Sequence, residues 1–206
     1  MNWKSFAFVA VVLFGLIFAF SPAEGALNAY MSVKGQKQGL IKGGVVQKGR
    51  EGKILVIAST HEIVSPRDPV TGQATQKRAH KPFIVTIEWD QALPNLYRAL
   101  FTNETLTEVT IDYYAPNSLG TAGGAGVEVN YMTVKLTNAS IASIHSKMPN
   151  SKVPELIRLR EFAEVSFVYQ KIDVTHKISG GTASDGLVAI LFPNRPTVAR
   201  AEIGEL

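Results

Sequence analysis

SPRDPVTGQATQKRAHKPFIVTIEWD, residues 65–90, is the stretch whose reading decides the fold. Its first part, Ser65 to Lys81, is a long polar loop punctuated by Pro66, Pro69 and Gly72, with a dense basic knot at Lys77, Arg78, His80 and Lys81. In its second part Phe83, Val85, Ile87 and Trp89 alternate with Ile84, Thr86, Glu88 and Asp90, the period of two that a half-buried strand requires. A loop of this length inside a compact domain is either functional or disordered. The knot itself has three readings: a small anion grip, a solvated loop, or a docking element that meets an acidic patch on another subunit. No helix N-terminus follows the loop and no aromatic side chain lies between Ser65 and Lys81, so a phosphate or nucleic-acid role is disfavoured.

Outward from this stretch the pattern is strand after strand. Upstream, Lys53 to Val64 sets Ile54, Val56 and Ala58 opposite Leu55 and Ile57, a strand apolar on both faces in its first half. From Ala26, LNAYMSVKG gives a first strand ended by Gly35. Between them lies a glycine-rich segment with weak strand signals at Val45 and Val46. Its Gly43, Gly44, Gly49 and Gly52 fit turn positions with positive φ, because the strand–loop–helix frame of a phosphate loop is missing.

Downstream, Gln91 to Asn103 predicts the one helix of the chain, with Pro94 in the first turn and Leu96, Ala99 and Leu100 on one stripe. Thr105 to Ala115 returns to strand, and PNSLGTAGGAG then suggests a surface insertion. Gly126 to Ser146 is a long strand or strand pair whose apolar side changes register at Tyr131 and Met132. A β-bulge or burial on both faces would each explain the change. Phe162 to Lys177 is the last clear strand, and the tail beyond Gly181 has one short apolar run, Leu187 to Phe192. The fold class predicted is mainly β: an antiparallel two-sheet barrel or sandwich with one flanking α-helix.

The 206 residues, 46% hydrophobic, suit one domain with a real core. A net charge of +4 spread over 21 basic and 17 acidic residues does not make a nucleic-acid footprint, so no nucleic-acid partner is expected. The absence of cysteine excludes disulfides, thiolate metal sites and a cysteine nucleophile. Residues 1–25 read as a cleavable signal peptide: MNWK is a charged n-region, Ser5 to Phe20 is apolar, and Ala23 and Gly25 precede a cleavage between Gly25 and Ala26. The rival is an uncleaved anchor, the only route to a membrane, but the run falls short of the roughly 20 residues a spanning helix needs. The chain divides into segment 1–25, a β domain over 26–185 and a tail over 186–206.

No catalytic, metal or cofactor site is predicted. His61, His80, His145 and His176 show no metal-ligand spacing, with His61 and His176 placed in strand segments as pairing or surface residues. Glu88 and Asp90, two apart on a strand, could pair on one face but fit a solvated face better. Asn103-Glu104-Thr105 and Asn138-Ala139-Ser140 match the glycosylation sequon, a pattern short enough to arise by chance.

Three successions, AYMSVKGQKQG, STHEIVSPRDPVTGQATQKRAHKPF and LPNLYRAL, resemble the Hcp family, the haemolysin-coregulated tube proteins of bacterial type VI secretion. GVEVNYMTVKLTNASIASI and EVSFVYQKIDVTHKISGGTASD are similar to its later strands, and the ordered string H-x-x-x-S-P-x-D-x-x-T-G-Q followed by K-R-x-H-x-P makes the match specific. The resemblance, from about Ala29 to Asp185, implies a non-enzymatic barrel that closes into a homohexameric ring and stacks into an expelled tube. It implies as partners further copies of the chain, a VgrG-type spike, a sheath and effector cargo. It also makes the loop with Arg67, Asp68, Lys77, Arg78, His80 and Lys81 a subunit contact. The alternative is an Hcp-like β-domain that serves as an adhesin or binding module outside the injection machine. The expected location is secreted, with the periplasm as the alternative. Three features depart from the family pattern: the signal-like segment, the AGGAG insertion, and the residues after Asp185 in place of an acidic–aromatic end. N-terminal sequencing of exported protein should find Ala26 first, and an intact Met1 would contradict cleavage.

Overall fold

The computed structural model describes residues 28–117 and 128–186. The strands are β1 (Asn28–Gly35), β2 (Gly39–Ile41), β3 (Ile54–Thr60), β4 (Ile63–Val64), β5 (Ala79–His80) and β6 (Phe83–Glu88). After the helix α1 (Leu93–Phe101) come β7 (Leu106–Pro116), β8 (Glu128–Lys147), β9 (Phe162–Val168), β10 (Lys171–His176) and β11 (Thr182–Gly186). All pairings are antiparallel and run in the order β11-β10-β8-β7-β1-β3-β6-β9, with β2 beside β1 and β4 paired with β5. Because β9 also pairs with β8, the path closes on itself: β8, β7, β1, β3, β6 and β9 form a barrel. Closure removes the open edges that a flat sheet of these strands would expose.

The interior follows from the period of two. In β6, Phe83, Val85 and Ile87 are buried while Ile84, Thr86 and Glu88 are only partly so. Met31, Val33, Ile54, Leu136, Val165 and Phe167 meet them from the other walls. Leu93, Leu96 and Ala99 of α1 bury their stripe against this core, and Pro94 stands in the first turn, as expected.

Strand β8 explains the register change at Tyr131. Tyr113 pairs with Met132 and Tyr114 with Asn130, so Tyr131 is an extra residue, a β-bulge. A second bulge leaves Ala142 extra between Ile141↔Phe167 and Ser143↔Ser166. These two bends let a strand of 20 residues curve around the barrel.

Several local expectations change. The strand expected at Val45 and Val46 is absent, and β2 forms at Gly39–Ile41 because the turn after β1 folds these residues back onto it. Gly49 and Gly52 have positive φ, but Gly43 and Gly44 do not. Gly43 is needed for space: a Cβ there would lie well inside van der Waals contact of the Lys53 carbonyl. The second face of β3 is not buried, because Val56↔Ile87 is followed by Ala58↔Thr86, so Ile57 bulges out and is 53% exposed. Phe162 to Lys177 is two strands, interrupted at Tyr169 and Gln170. Both run along β8, β9 facing Ser140 to Lys147 and β10 facing Met132 to Thr137. The signal segment, most of PNSLGTAGGAG and the run Leu187 to Phe192 lie outside the described residues.

Polar residues clamp the loops onto this frame. Glu104 is buried and accepts N–H groups from Lys37 (2.6 Å) and Gln38 (2.9 Å), which fixes the β1–β2 turn. Burial pushes its carboxyl up, but these donors outweigh that and hold it below the usual carboxylate range. The Arg50 guanidinium lies 3.7 Å from the Tyr114 ring centroid and 4.8 Å from that of Tyr30, paired with Glu128, and so closes the Gly43–Lys53 loop. Gly43→Ala should destabilise the domain by about 1–3 kcal/mol through the backbone clash. A thermal melt reads this, and an unchanged midpoint would contradict the packing described.

Candidate functional site

The segment Ser65 to Lys81 is not an irregular loop. It is an arm, an antiparallel hairpin that leaves the barrel between β3 and β6. At its base Ile63 pairs with His80 and Val64 with Ala79, and farther out Arg67 bridges to Ala74. Sequence periodicity did not reveal this, because Ile63 and Val64 at the base stay exposed and the other paired positions, Arg67, Ala74, Ala79 and His80, show no alternating apolar face.

Asp68 organises the tip. Its Oδ1 accepts the backbone N–H groups of Val70 and Thr71, each at 2.7 Å, and those bonds hold its carboxyl below the usual range. Gly72, at φ 69°, donates its N–H to the Asp68 carbonyl (2.9 Å), and Arg67 donates to the Gly72 carbonyl (3.1 Å). Such an Asx-type turn needs these residue types: a short carboxylate to cap two amides, and glycine for the left-handed position. Every residue from Thr71 to Ala79 is exposed, and Val70 is 90% exposed. The arm therefore has an ordered backbone with almost no packing against its own barrel.

The basic knot sits at the root, where the structure pairs it within the chain. Arg78 donates two hydrogen bonds to Asp185 of β11, Nε to Oδ2 at 2.7 Å and Nη2 to Oδ1 at 2.8 Å. The Arg78 guanidinium holds the Asp185 carboxyl below its usual range. Lys81 pairs with Glu62 at 2.7 Å, across the hairpin base. Lys77 has no ion-pair partner among the described residues.

Two histidines meet at this root. The Tyr169 hydroxyl lies 2.6 Å from His61 Nε2 and 3.0 Å from His80 Nδ1, and His80 Nε2 approaches Asp185 Oδ2 at 3.3 Å. The His61 ring also stacks on Phe83, centroids 5.0 Å apart. Burial, and then the Asp185 charge, push the Tyr169 hydroxyl up to about 12, so it is a neutral donor and acceptor throughout ordinary pH. The sequence alone does not single out Tyr169 and Asp185 as site residues and marks His61 only as a pairing or surface residue, because they meet only through folding, with Tyr169 108 residues from His61 and 89 from His80.

The other residues singled out go elsewhere. His61 stands just after β3 rather than within a strand, and His176, at the end of β10, bonds Ser179 Oγ in a local turn (2.8 Å). His145 lies on β8 near Glu164. Glu88 pairs with Arg160 (2.8 Å). Asp90 does not share its face: it lies past β6 and accepts N–H groups from Gly44 (2.8 Å) and Ala92 (2.9 Å) at the start of α1. Among the described residues no group of three or more His, Asp or Glu side chains could hold a metal ion.

A closed antiparallel barrel with a projecting, in-chain-rooted arm defines the class of fold. The comparisons give the class its family. The family model described as type VI secretion system effector, Hcp, matches residues 30–176. The "Major exported protein" of Pseudomonas aeruginosa is 38% identical over 169 residues, covering 78% of this chain and 95% of that protein. A crystal structure of an Hcp protein superposes with a TM-score of 0.71 at 29% identity, covering 79% of this chain and 98% of the other. An Hcp structure from Escherichia coli pathovar EAEC 042 gives a TM-score of 0.67 at 31% identity, covering 79% and 99%. The chain belongs to the Hcp family of type VI secretion system proteins. This membership disfavours a binding module outside the injection machine.

Tyr169→Phe would strip both imidazoles of their shared partner and should cost about 1–3 kcal/mol. Urea unfolding measures this, and a loss near zero would mean that the hydroxyl does not join the two rings.

Proposed function

We propose that the chain is an exported structural subunit that assembles with copies of itself into a hexameric ring, rings that stack into the expelled tube of the type VI system. The observation that carries this reading is the arm. It is ordered by its own turn and rooted in its own barrel, yet its outer residues are exposed. An ordered hairpin with no face to cover in its own subunit fits a surface on a neighbour. A head-to-tail ring needs two different patches of this kind on each subunit.

The in-chain pairing sharpens which arm residues reach outward. Arg78, His80 and Lys81 find partners at the root, so they set the arm's angle. Val70, Thr71, Gln73 and Lys77 form the outer part that meets the neighbour. Asp68 and Arg67 shape the turn that presents them. Export is supported by the name of the Pseudomonas relative, and a secreted location accords with it. The barrel's role is that of scaffold: a wall that places the arm and, in the ring, lines a lumen able to hold effector cargo. The spike and sheath are further partners of the same reading. It assigns the protein no catalytic step.

Val70→Asp puts a charge on the arm's most exposed apolar residue without touching the root. It should lower ring yield at fixed concentration by about tenfold, as loss of an interface anchor does, and leave the monomer's melting midpoint unchanged. Light scattering coupled to size exclusion reads the yield; wild-type ring yield in this variant would remove the tip from the interface.

A further inference from the structure

The cluster at the arm's root has a property that ring assembly does not require. Tyr169 places one hydroxyl between two imidazole nitrogens, and the second imidazole leads on to a carboxylate. Counting protons along this chain decides what it tolerates. With both rings neutral, His61 Nε2–H donates to the Tyr169 oxygen, Tyr169 O–H donates to His80 Nδ1, and His80 Nε2–H points to Asp185. Each contact of the chain then has one donor and one acceptor.

One added proton is also accommodated. His80 then donates from both nitrogens, to Tyr169 and to Asp185. The Tyr169 proton turns to His61 Nε2, which accepts once that ring carries its proton on Nδ1. A second proton has no place. With both rings charged, two N–H donors converge on one hydroxyl oxygen, the Tyr169 proton loses both its acceptors, and two cations stand one hydroxyl apart in a partly dry site.

We propose that the His61–Tyr169–His80–Asp185 chain is an acid-sensitive latch that holds the arm to the barrel while it carries at most one extra proton and releases it on the second. The surroundings give the second proton little relief. Facing His61 are the Tyr113 and Ser59 hydroxyls, bonded to each other at 2.8 Å, and the apolar ring of Phe83. On its own stretch Glu62 is already paired with Lys81. On the far side the Asp185 carboxylate is shared with Arg78, whose charge offsets it. Burial, and then the charge of His80, lower the affinity of His61 for a proton below that of a free histidine.

The sign of the effect follows. An unfolded or detached His61 takes up its proton near the ordinary histidine value of about 6.5, whereas the latched one does so only at lower pH. In the interval the released state binds more protons, so acidification favours release, and the latch is at full strength above that interval. What detaches is local. β4, β5 and the tip depend on this root, whereas the barrel closes through β8 and β9 without it. The inference concerns one subunit and stands whether or not the tip meets a neighbour.

Hydrogen exchange of the whole chain, followed by peptide mass analysis at about pH 7.5 and about pH 5 and corrected for the intrinsic pH dependence of amide exchange, tests it. The arm amides from Val64 to His80 should exchange on the order of tenfold faster at the lower pH, with the β6 and β8 amides unchanged. His61→Phe keeps the ring stack on Phe83 but cannot take the second proton, so its arm exchange should not respond to pH. Asp185→Asn weakens the anchor and should release the arm at both pH values. An arm whose corrected exchange is the same at both pH values in the wild type would overturn the latch. So would a His61→Phe chain that keeps the wild-type pH response. Recording ring yield in parallel separates a failed latch from a failed assembly.

Discussion

The pairing of β9 with β8 is the constraint on which the rest depends. It turns a row of strands into a closed barrel, fixes which face of each strand points inward, and does so between elements near the end of the domain. β8 can serve both β9 and β10 because it is 20 residues long and bulged at Tyr131 and Ala142. The short break at Tyr169 and Gln170 matters for the same reason. There the chain passes from the barrel wall to the outer strand β10, and Tyr169 turns its hydroxyl to the root of the arm. Closure and arm placement are thus two consequences of one chain path.

The arm illustrates how a charged segment can be structural at one end and presented at the other. A basic knot in a loop suggests an external acidic partner, but geometry assigns Arg78 to Asp185 and Lys81 to Glu62 within the same chain. Exposed ion pairs add little stability singly. Their value here is directional: a two-pronged guanidinium–carboxylate contact between residues 107 apart fixes an angle as well as a distance. The tip needs no such anchor, because Asp68 and Gly72 define its turn locally.

Much of this was legible in the sequence, and for identifiable reasons. β6 alternates cleanly because one side faces a core, and α1 shows its stripe for the same reason. The bulge at Tyr131 was visible as a change of apolar register, although only the Tyr113↔Met132 pairing separates it from burial on both faces. β2 left no signal, since three residues starting at a glycine are too few to show a period, although Ile41 reaches the core. The hairpin of the arm was hidden because every residue from Thr71 to Ala79 is exposed, so no period of two marks its return. The histidine–tyrosine root was hidden because its members meet only after the barrel closes and β11 adds to its edge. Asp90 shows the opposite error: a spacing of two suggested a shared strand face, but the strand ends at Glu88 and the carboxylate turns to the backbone amides of Gly44 and Ala92.

The most direct measurement is an electron cryomicroscopy map of the assembled chain at neutral pH. The account predicts a ring in which the outer part of each arm, around Val70 and Lys77, lies against a neighbouring subunit while Arg78 stays on Asp185 of its own. A ring whose arms fold back on their own barrels, or in which Arg78 pairs across the interface, would contradict it.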